Sequence, residues 1–90
     1  MNYEDEYVLV TDGIIEMNCV ANSYKEAANL FLKYLKNQND DCIYEFDTYE
    51  YEYAGHMLKL CKFYEYNGNM LNTVHFILSK HYIDFLRSRQ

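Results

Sequence analysis

The sequence predicts an α+β fold with the element order ββαβαα, a small ββαβ sheet-plus-helix unit closed by a C-terminal helical hairpin. Two short runs of β-forming residues flank an Asp-Gly turn, and an amphipathic segment with a capping signal follows them. Apolar residues then recur at helical spacing in the last third of the chain. Because 90 residues suffice for one domain, we expect residues 1–90 to form a single acidic domain.

The first two elements are predicted to form a β-hairpin. Residues 6–11 contain the β-formers Tyr-Val-Leu-Val, and Asp12-Gly13 is typical of a two-residue hairpin turn. In residues 14–21 apolar and polar side chains alternate, as in a strand with one buried side. We therefore expect strands over 6–11 and 14–21.

A helix is predicted to begin at Ser23. Ser23 and Glu26 have the spacing of a capping box, in which each side chain satisfies a free backbone N–H at the helix start. Apolar residues then share one side of the helix and polar residues the other. The helix is expected to end near Asn37, where a run of Asn, Gln and Asp begins.

The middle of the chain supports two interpretations. A third strand is predicted over 42–47, and residues 49–53 alternate Tyr with Glu, which would extend it. Four apolar residues nevertheless recur at helical spacing: Ala54, Met57, Leu58 and Cys61. Since Asp47 and Glu50 resemble a second capping box and Asn67-Gly68 a helix C-cap, we prefer a helix over about 49–66. In the alternative, this segment is a pair of strands, Asn67-Gly68 is a hairpin turn, and the sheet is larger.

The last segment, about residues 70–88, is predicted to be a helix with apolar residues on two sides. His81 falls on its main apolar side and is expected to be a core or interface histidine. Phe76 and Ile83 lie nearly opposite that side, and Phe63 and Tyr66 fall off the main apolar side of the preceding helix. These four residues form either the second packing side of a wedged helical hairpin or a self-association surface.

Composition indicates a globular, cytoplasmic protein. Half of the residues are apolar, which is too many for a disordered chain, and no apolar run reaches the roughly 20 residues of a membrane helix. Residues 1–6 are acidic and lack the apolar core of a signal peptide. Residue types with AT-rich codons (Phe, Tyr, Met, Ile, Asn, Lys) number 40, against nine with GC-rich codons (Gly, Ala, Arg, Pro). Such a bias points to an AT-rich source, such as a low-GC bacterium, a phage or a virus.

Cysteine and histidine spacing predicts no metal site and no cofactor. The three cysteines are far apart and include no CxxC pair, so we expect buried free thiols: Cys19, Cys42 and Cys61. The histidines lack the i, i+4 spacing of helical metal ligands: His56, His75 and His81.

Charge is polarised along the sequence. Residues 1–54 carry 12 acidic residues and three lysines, whereas residues 55–90 carry two acidic and five basic residues. A dense acidic and tyrosine-rich tract supplies the candidate partner-binding residues: Asp40, Asp41, Tyr44, Glu45, Asp47, Tyr49, Glu50, Tyr51, Glu52 and Tyr53. Such a surface attracts basic proteins and repels nucleic acid, and tyrosine is enriched at interfaces. The alternative is a solvated surface that keeps a small domain soluble.

These observations favour a non-enzymatic protein-binding module. We expect a phage- or virus-encoded inhibitor or adaptor whose carboxylates imitate nucleic-acid phosphates on a basic host protein, without binding nucleic acid or membrane itself. The alternative is a structural or regulatory homo-oligomer, for instance a homodimer, in which acidic and basic halves meet. A small enzyme or ligand sensor is the third hypothesis. No nucleophile elbow, phosphate-binding glycine loop or Cys-His signature is present, so no catalytic residue is predicted.

Overall fold

The computed structural model describes residues 4–88, over which the chain forms one five-stranded antiparallel sheet and two helices. Its elements are β1 (Asp5–Thr11), β2 (Ile14–Ala21), α1 (Tyr24–Gln38), β3 (Ile43–Tyr53), β4 (His56–Asn67), β5 (Met70–Ser79) and α2 (Lys80–Arg87). The strand order is β2-β1-β5-β4-β3. The predicted α+β class is confirmed, but the element order is ββαβββα. Residues 1–3 and 89–90 lie outside the described residues, as do the side chains of Tyr51 and Leu86.

The predicted N-terminal hairpin is confirmed. Thr11 pairs with Ile14 across a two-residue loop. Asp12 and Gly13 both have positive φ, at 52° and 78°, which is the backbone geometry of a type I′ turn. The register of β1 against β2 shifts between Leu9 and Val10, where β2 has one extra residue.

Helix α1 is also confirmed, and it covers one side of the sheet. The Glu26 N–H donates to the Ser23 hydroxyl at 3.1 Å, while the Glu26 carboxylate accepts from the Asn22 N–H at 3.4 Å rather than from that of Ser23. The helix buries an apolar stripe, and the sheet supplies the other half of the core: Ala27, Ala28, Phe31 and Leu35 against Tyr7, Leu9, Cys61, Phe63 and Ile77. We call this side of the sheet the α1 face.

The predicted helix over 49–66 is wrong, because both halves of that segment are strands. β3 continues to Tyr53, so the second capping box does not form, and β4 occupies His56–Asn67. The alternative with a strand pair is the one observed, with a larger sheet. The hairpin turn between β4 and β5 is Gly68-Asn69, one residue later than the predicted Asn67-Gly68, and Asn67 pairs with Met70 across it.

Burial on both sides explains why β4 resembled a helix. Cys61 and Phe63 are buried on the α1 face, whereas Leu58, on the opposite face, is also buried at 2% exposure. A strand covered on both sides loses the alternation of apolar and polar residues that marks a surface strand. Its apolar positions then match helical and strand spacing equally well.

The predicted helix over 70–88 is confirmed only over the eight residues of α2, Lys80–Arg87. Met70–Ser79 is β5, which lies at the centre of the sheet between β1 and β4, so the described residues contain no helical hairpin. Phe76 therefore belongs to a strand, and His81 is exposed rather than in a core. The side chain of Ser79 caps α2 by accepting from the Tyr82 N–H at 3.1 Å.

Helix α2 packs against the face of the sheet opposite α1. The ring of Phe85 lies 4.8 Å from that of His56, and a cavity of about 270 Å³ separates α2 from Val8 and Ile15. Neither helix within residues 4–88 has the length and apolarity needed to cross a bilayer.

Ala54 lies in a strained conformation in the turn between β3 and β4. Its φ is 51°, a region that costs a residue with a Cβ atom roughly 1 kcal/mol and that asparagine tolerates better. We expect Ala54→Asn to raise the free energy of unfolding by roughly 0.5–1 kcal/mol in urea denaturation. Thr48→Asn, which places asparagine within an exposed strand, is the control and should lower it slightly. An Ala54→Asn protein less stable than wild type would contradict the inference that the backbone of Ala54 is strained.

Candidate functional site

Strand β3 forms one edge of the sheet. Within the described residues it pairs with β4 alone, through eleven consecutive residue pairs from Ile43–Tyr66 to Tyr53–His56. Its Ile, Phe, Tyr and Thr residues favour an extended backbone. The outward side of such a strand presents a row of unpaired backbone N–H and C=O groups.

Four carboxylates lie on β3, and we call them the acidic edge: Glu45, Asp47, Glu50 and Glu52. All four side chains are exposed. Their register divides them between the two faces. Glu45 and Asp47 pair with Tyr64 and Lys62 on the face opposite α1, whereas Glu50 and Glu52 pair with Lys59 and Met57 on the α1 face. The predicted tract is therefore continuous along one strand, but it does not occupy a single face.

Two lysines on β4 only partly offset this charge. The Lys59 amine lies 3.4 Å from the Glu50 carboxylate, but both side chains are about half exposed, and such surface ion pairs contribute little to stability. The Lys62 amine instead lies 4.8 Å above the ring of Tyr49 and 5.8 Å from that of Phe76. The acidic edge thus keeps most of its negative potential.

The remaining residues of the predicted tract have different environments. Asp40 and Asp41 are exposed in the loop between α1 and β3. Tyr49 is 41% and Tyr53 51% exposed, with the Tyr53 ring edge-on to Phe85 at 6.0 Å. Tyr51 lies in β3, and its side chain is outside the described part of the chain. Apart from Tyr44, the tract residues with described side chains are accessible to a partner.

Tyr44 points inward and belongs to the core rather than to a partner surface. Its hydroxyl lies 3.3 Å from the Leu35 carbonyl oxygen and 3.2 Å from a carboxylate oxygen of Glu65. Burial, together with the nearby negative charge of Glu65, raises the pKa of Tyr44 to about 12.

A second polar arrangement, which the sequence did not reveal, surrounds Glu65. Its carboxylate accepts hydrogen bonds from the Tyr44 hydroxyl at 3.2 Å and the Asn72 amide at 2.7 Å, and it lies 3.2 Å from His75 Nε2. On the other side of the imidazole, His75 Nδ1 lies 2.6 Å from the Thr11 hydroxyl. We call these five residues the Glu65 cluster. Glu65 and His75 are only 4% and 3% exposed.

Hydrogen bonding determines the charge state of Glu65. Burial alone would raise the pKa of its carboxyl group, but donation from Asn72, His75 and Tyr44 outweighs that effect and lowers the pKa below its usual value. The carboxylate is therefore ionised at neutral pH, buried and fully hydrogen-bonded.

The order Thr11, His75 and Glu65 resembles a nucleophile, base and acid array. A nucleophile requires space for a substrate beside it. Two cavities of about 270 and 280 Å³ are lined by other residues, the first beneath α2 and the second between Ile43 and Tyr66. Because Glu65 and His75 are almost fully buried and the hydrogen bonds of the cluster connect four strands, we interpret the Glu65 cluster as a polar core that joins β1, β3, β4 and β5.

The four residues of the predicted self-association surface are not adjacent. Phe63 is fully buried on the α1 face. Phe76 and Tyr66 are half-buried on the opposite face, and Ile83 lies in α2, where it lines the cavity beside Val8. Their apparent common stripe came from treating two strands as helices.

The cysteines are free, with Cys42 and Cys61 buried as predicted and Cys19 half-buried. Burial raises the pKa of Cys61 to about 11, which makes its thiol a poor nucleophile. Within residues 4–88, no group of three or more His, Cys, Asp or Glu side chains is arranged to hold a metal ion. The absence of metal and cofactor stays a prediction.

Comparison of the chain with protein-family models, with curated proteins and with solved structures finds no match. Function must therefore be inferred from the chemistry of the acidic edge and of the Glu65 cluster.

Proposed function

We propose that this protein is a non-enzymatic binding module that uses the acidic edge to engage a basic surface of another protein. The observation that carries this proposal is the coincidence of exposed carboxylates with an edge strand. Four acidic side chains lie on one edge strand, which pairs with β4 on one side only, and Asp40 and Asp41 lie in the loop before it. Complementary charge accelerates association and selects a partner of opposite sign.

The exposed aromatic rings add contact area to this charge. Tyr49, Tyr53 and Phe46 are each between 41% and 51% exposed on or beside the acidic edge. Large rings bury much apolar surface for little loss of conformational freedom, and tyrosine also offers a hydroxyl for hydrogen bonding. An inhibitor or adaptor that occupies a nucleic-acid-binding groove of a host protein needs this combination of negative charge and aromatic area.

Two charge-matched variants test the proposal by capture from host lysate, followed by titration calorimetry with the captured protein. The first neutralises the acidic edge: Glu45→Gln, Asp47→Asn, Glu50→Gln and Glu52→Gln. The second removes the same charge at four exposed sites elsewhere: Glu4→Gln, Asp12→Asn, Glu16→Gln and Asp84→Asn. We expect the first to lose about tenfold or more in affinity and most of its salt dependence, and the second to change by about twofold at most.

Circular dichroism must show both variants folded. Equal losses in the two variants would mean that net charge, not the acidic edge, governs binding. Unchanged affinity in the first variant would refute the proposal. Competition by a short DNA duplex would identify the partner surface as a nucleic-acid-binding groove.

A further inference from the structure

The two edges of the sheet differ in how well they could accept another strand. At β2 the register shifts opposite Leu9 and Val10, and such a bulge twists an edge away from regular pairing. At β3 the register runs through all eleven pairs without a shift. The chain contains no proline that could interrupt either edge. β3 is thus the longer and more regular template.

The charge on β3 limits which strand can pair with it. Like charges directly opposite each other on neighbouring strands are destabilising, so the acidic edge opposes pairing with β3 of a second copy. The same charges favour a segment rich in lysine or arginine. The tyrosines and Phe46 offer cross-strand contacts to β-branched or apolar residues of that segment.

The acidic side chains also define a spacing. Glu45 and Asp47 are on the face opposite α1, whereas Glu50 and Glu52 are on the α1 face, so the pattern changes face once between Asp47 and Glu50. An antiparallel strand placed beside β3 meets Glu52, Glu50, Asp47 and Glu45 at its first, third, sixth and eighth residues. A strictly alternating basic segment can face only the two acids of one side in any register.

We propose that β3 binds an extended basic segment by β-strand addition, with basic residues at the first, third, sixth and eighth positions of eight. This inference rests on the proposed function and specifies its partner chemistry. The backbone N–H and C=O groups of the edge supply affinity, as in other strand-addition complexes, and the change of face between Asp47 and Glu50 supplies specificity.

Two octapeptides of identical composition test this proposal by fluorescence anisotropy with the full chain. Each has four lysines, two threonines and two valines. The matched peptide has lysine at the first, third, sixth and eighth positions, and the alternating peptide has it at the first, third, fifth and seventh. We expect the matched peptide to bind about fivefold tighter or more, because the alternating peptide misplaces two of its four charges.

Two N-methylated versions of the matched peptide separate strand pairing from charge attraction. One is methylated on the backbone nitrogens of its odd-numbered residues and the other on those of its even-numbered residues. Only one of the two versions therefore loses the N–H groups that face β3. That version should lose binding, and the other should retain it, since only one set of N–H groups faces the edge.

The outcomes distinguish this inference from the proposed function. Equal affinity of matched and alternating peptides, with binding lost in the variant neutralised on the acidic edge, would overturn strand addition and leave the proposed function standing. Retained binding by both N-methylated versions would also overturn it. If no peptide binds, strand addition fails, and the lysate experiment decides the proposed function independently.

Discussion

Glu65→Ala is expected to lower the free energy of unfolding by about 3–5 kcal/mol, a large part of the stability of a domain this size. The substitution removes the acceptor shared by Tyr44, Asn72 and His75. Buried donors left without a partner cost about 1–3 kcal/mol each. Urea denaturation at neutral pH measures the loss.

Glu65→Gln is the matched variant, because it preserves the size and one oxygen acceptor but removes the charge. It should cost about half as much as Glu65→Ala. Since the folded-state pKa of Glu65 lies below its ordinary value of 4.5, its ionisation adds stability that is present above about pH 4.5 and is lost as the pH falls through the folded-state pKa. The advantage of wild type over Glu65→Gln should therefore shrink below pH 4.5. An advantage that is constant across this range would contradict the assigned role of the charge.

Phe63→Ala is expected to cost about 3–5 kcal/mol, comparable to the loss for Glu65→Ala. Phe63 has no exposed surface and lies in the core beneath α1, with its ring 5.6 Å from that of Phe46. The truncation leaves a cavity that the surrounding sheet cannot close without disturbing its pairing. Thermal and urea unfolding should both report the loss.

Phe46→Ala provides the control for Phe63→Ala, because it removes an identical side chain whose ring contacts that of Phe63. Phe46 is 41% exposed on the edge strand, so its truncation should cost about 1 kcal/mol. If Phe63 instead belonged to a self-association surface, Phe63→Ala would leave a stable monomer and reduce only oligomerisation. Sedimentation velocity beside the unfolding measurements separates these results.

The elements predicted correctly from the sequence are those whose signals depend only on residues a few positions apart. Asp12-Gly13 determines the first hairpin because two adjacent residues must adopt positive φ. Ser23 determines the start of α1 because its hydroxyl accepts from a backbone N–H three residues later. The acidic tract was also evident from the sequence alone, since charge and exposure of carboxylates follow from composition.

Tertiary structure decided whether residues 49–79 form strands or helices. β4 and β5 are interior strands that pack on two sides, so their apolar spacing does not distinguish strand from helix. Only their pairing with β3 and β1 satisfies their backbone groups and completes the core beneath Phe31. The division of the acidic edge between two faces follows from that pairing.

The Glu65 cluster could not be predicted from the sequence, because tertiary structure alone brings its residues together. Thr11 and His75 are 64 positions apart, and Glu65 meets His75 because β4 and β5 are neighbours in the sheet. Hydrogen bonds between residues so distant in sequence leave no local pattern. The sequence by itself therefore determined the first hairpin, α1 and the negative charge of β3. The pairing of distant strands decided where that charge points and which polar groups are buried, because it brings together residues that local interactions cannot.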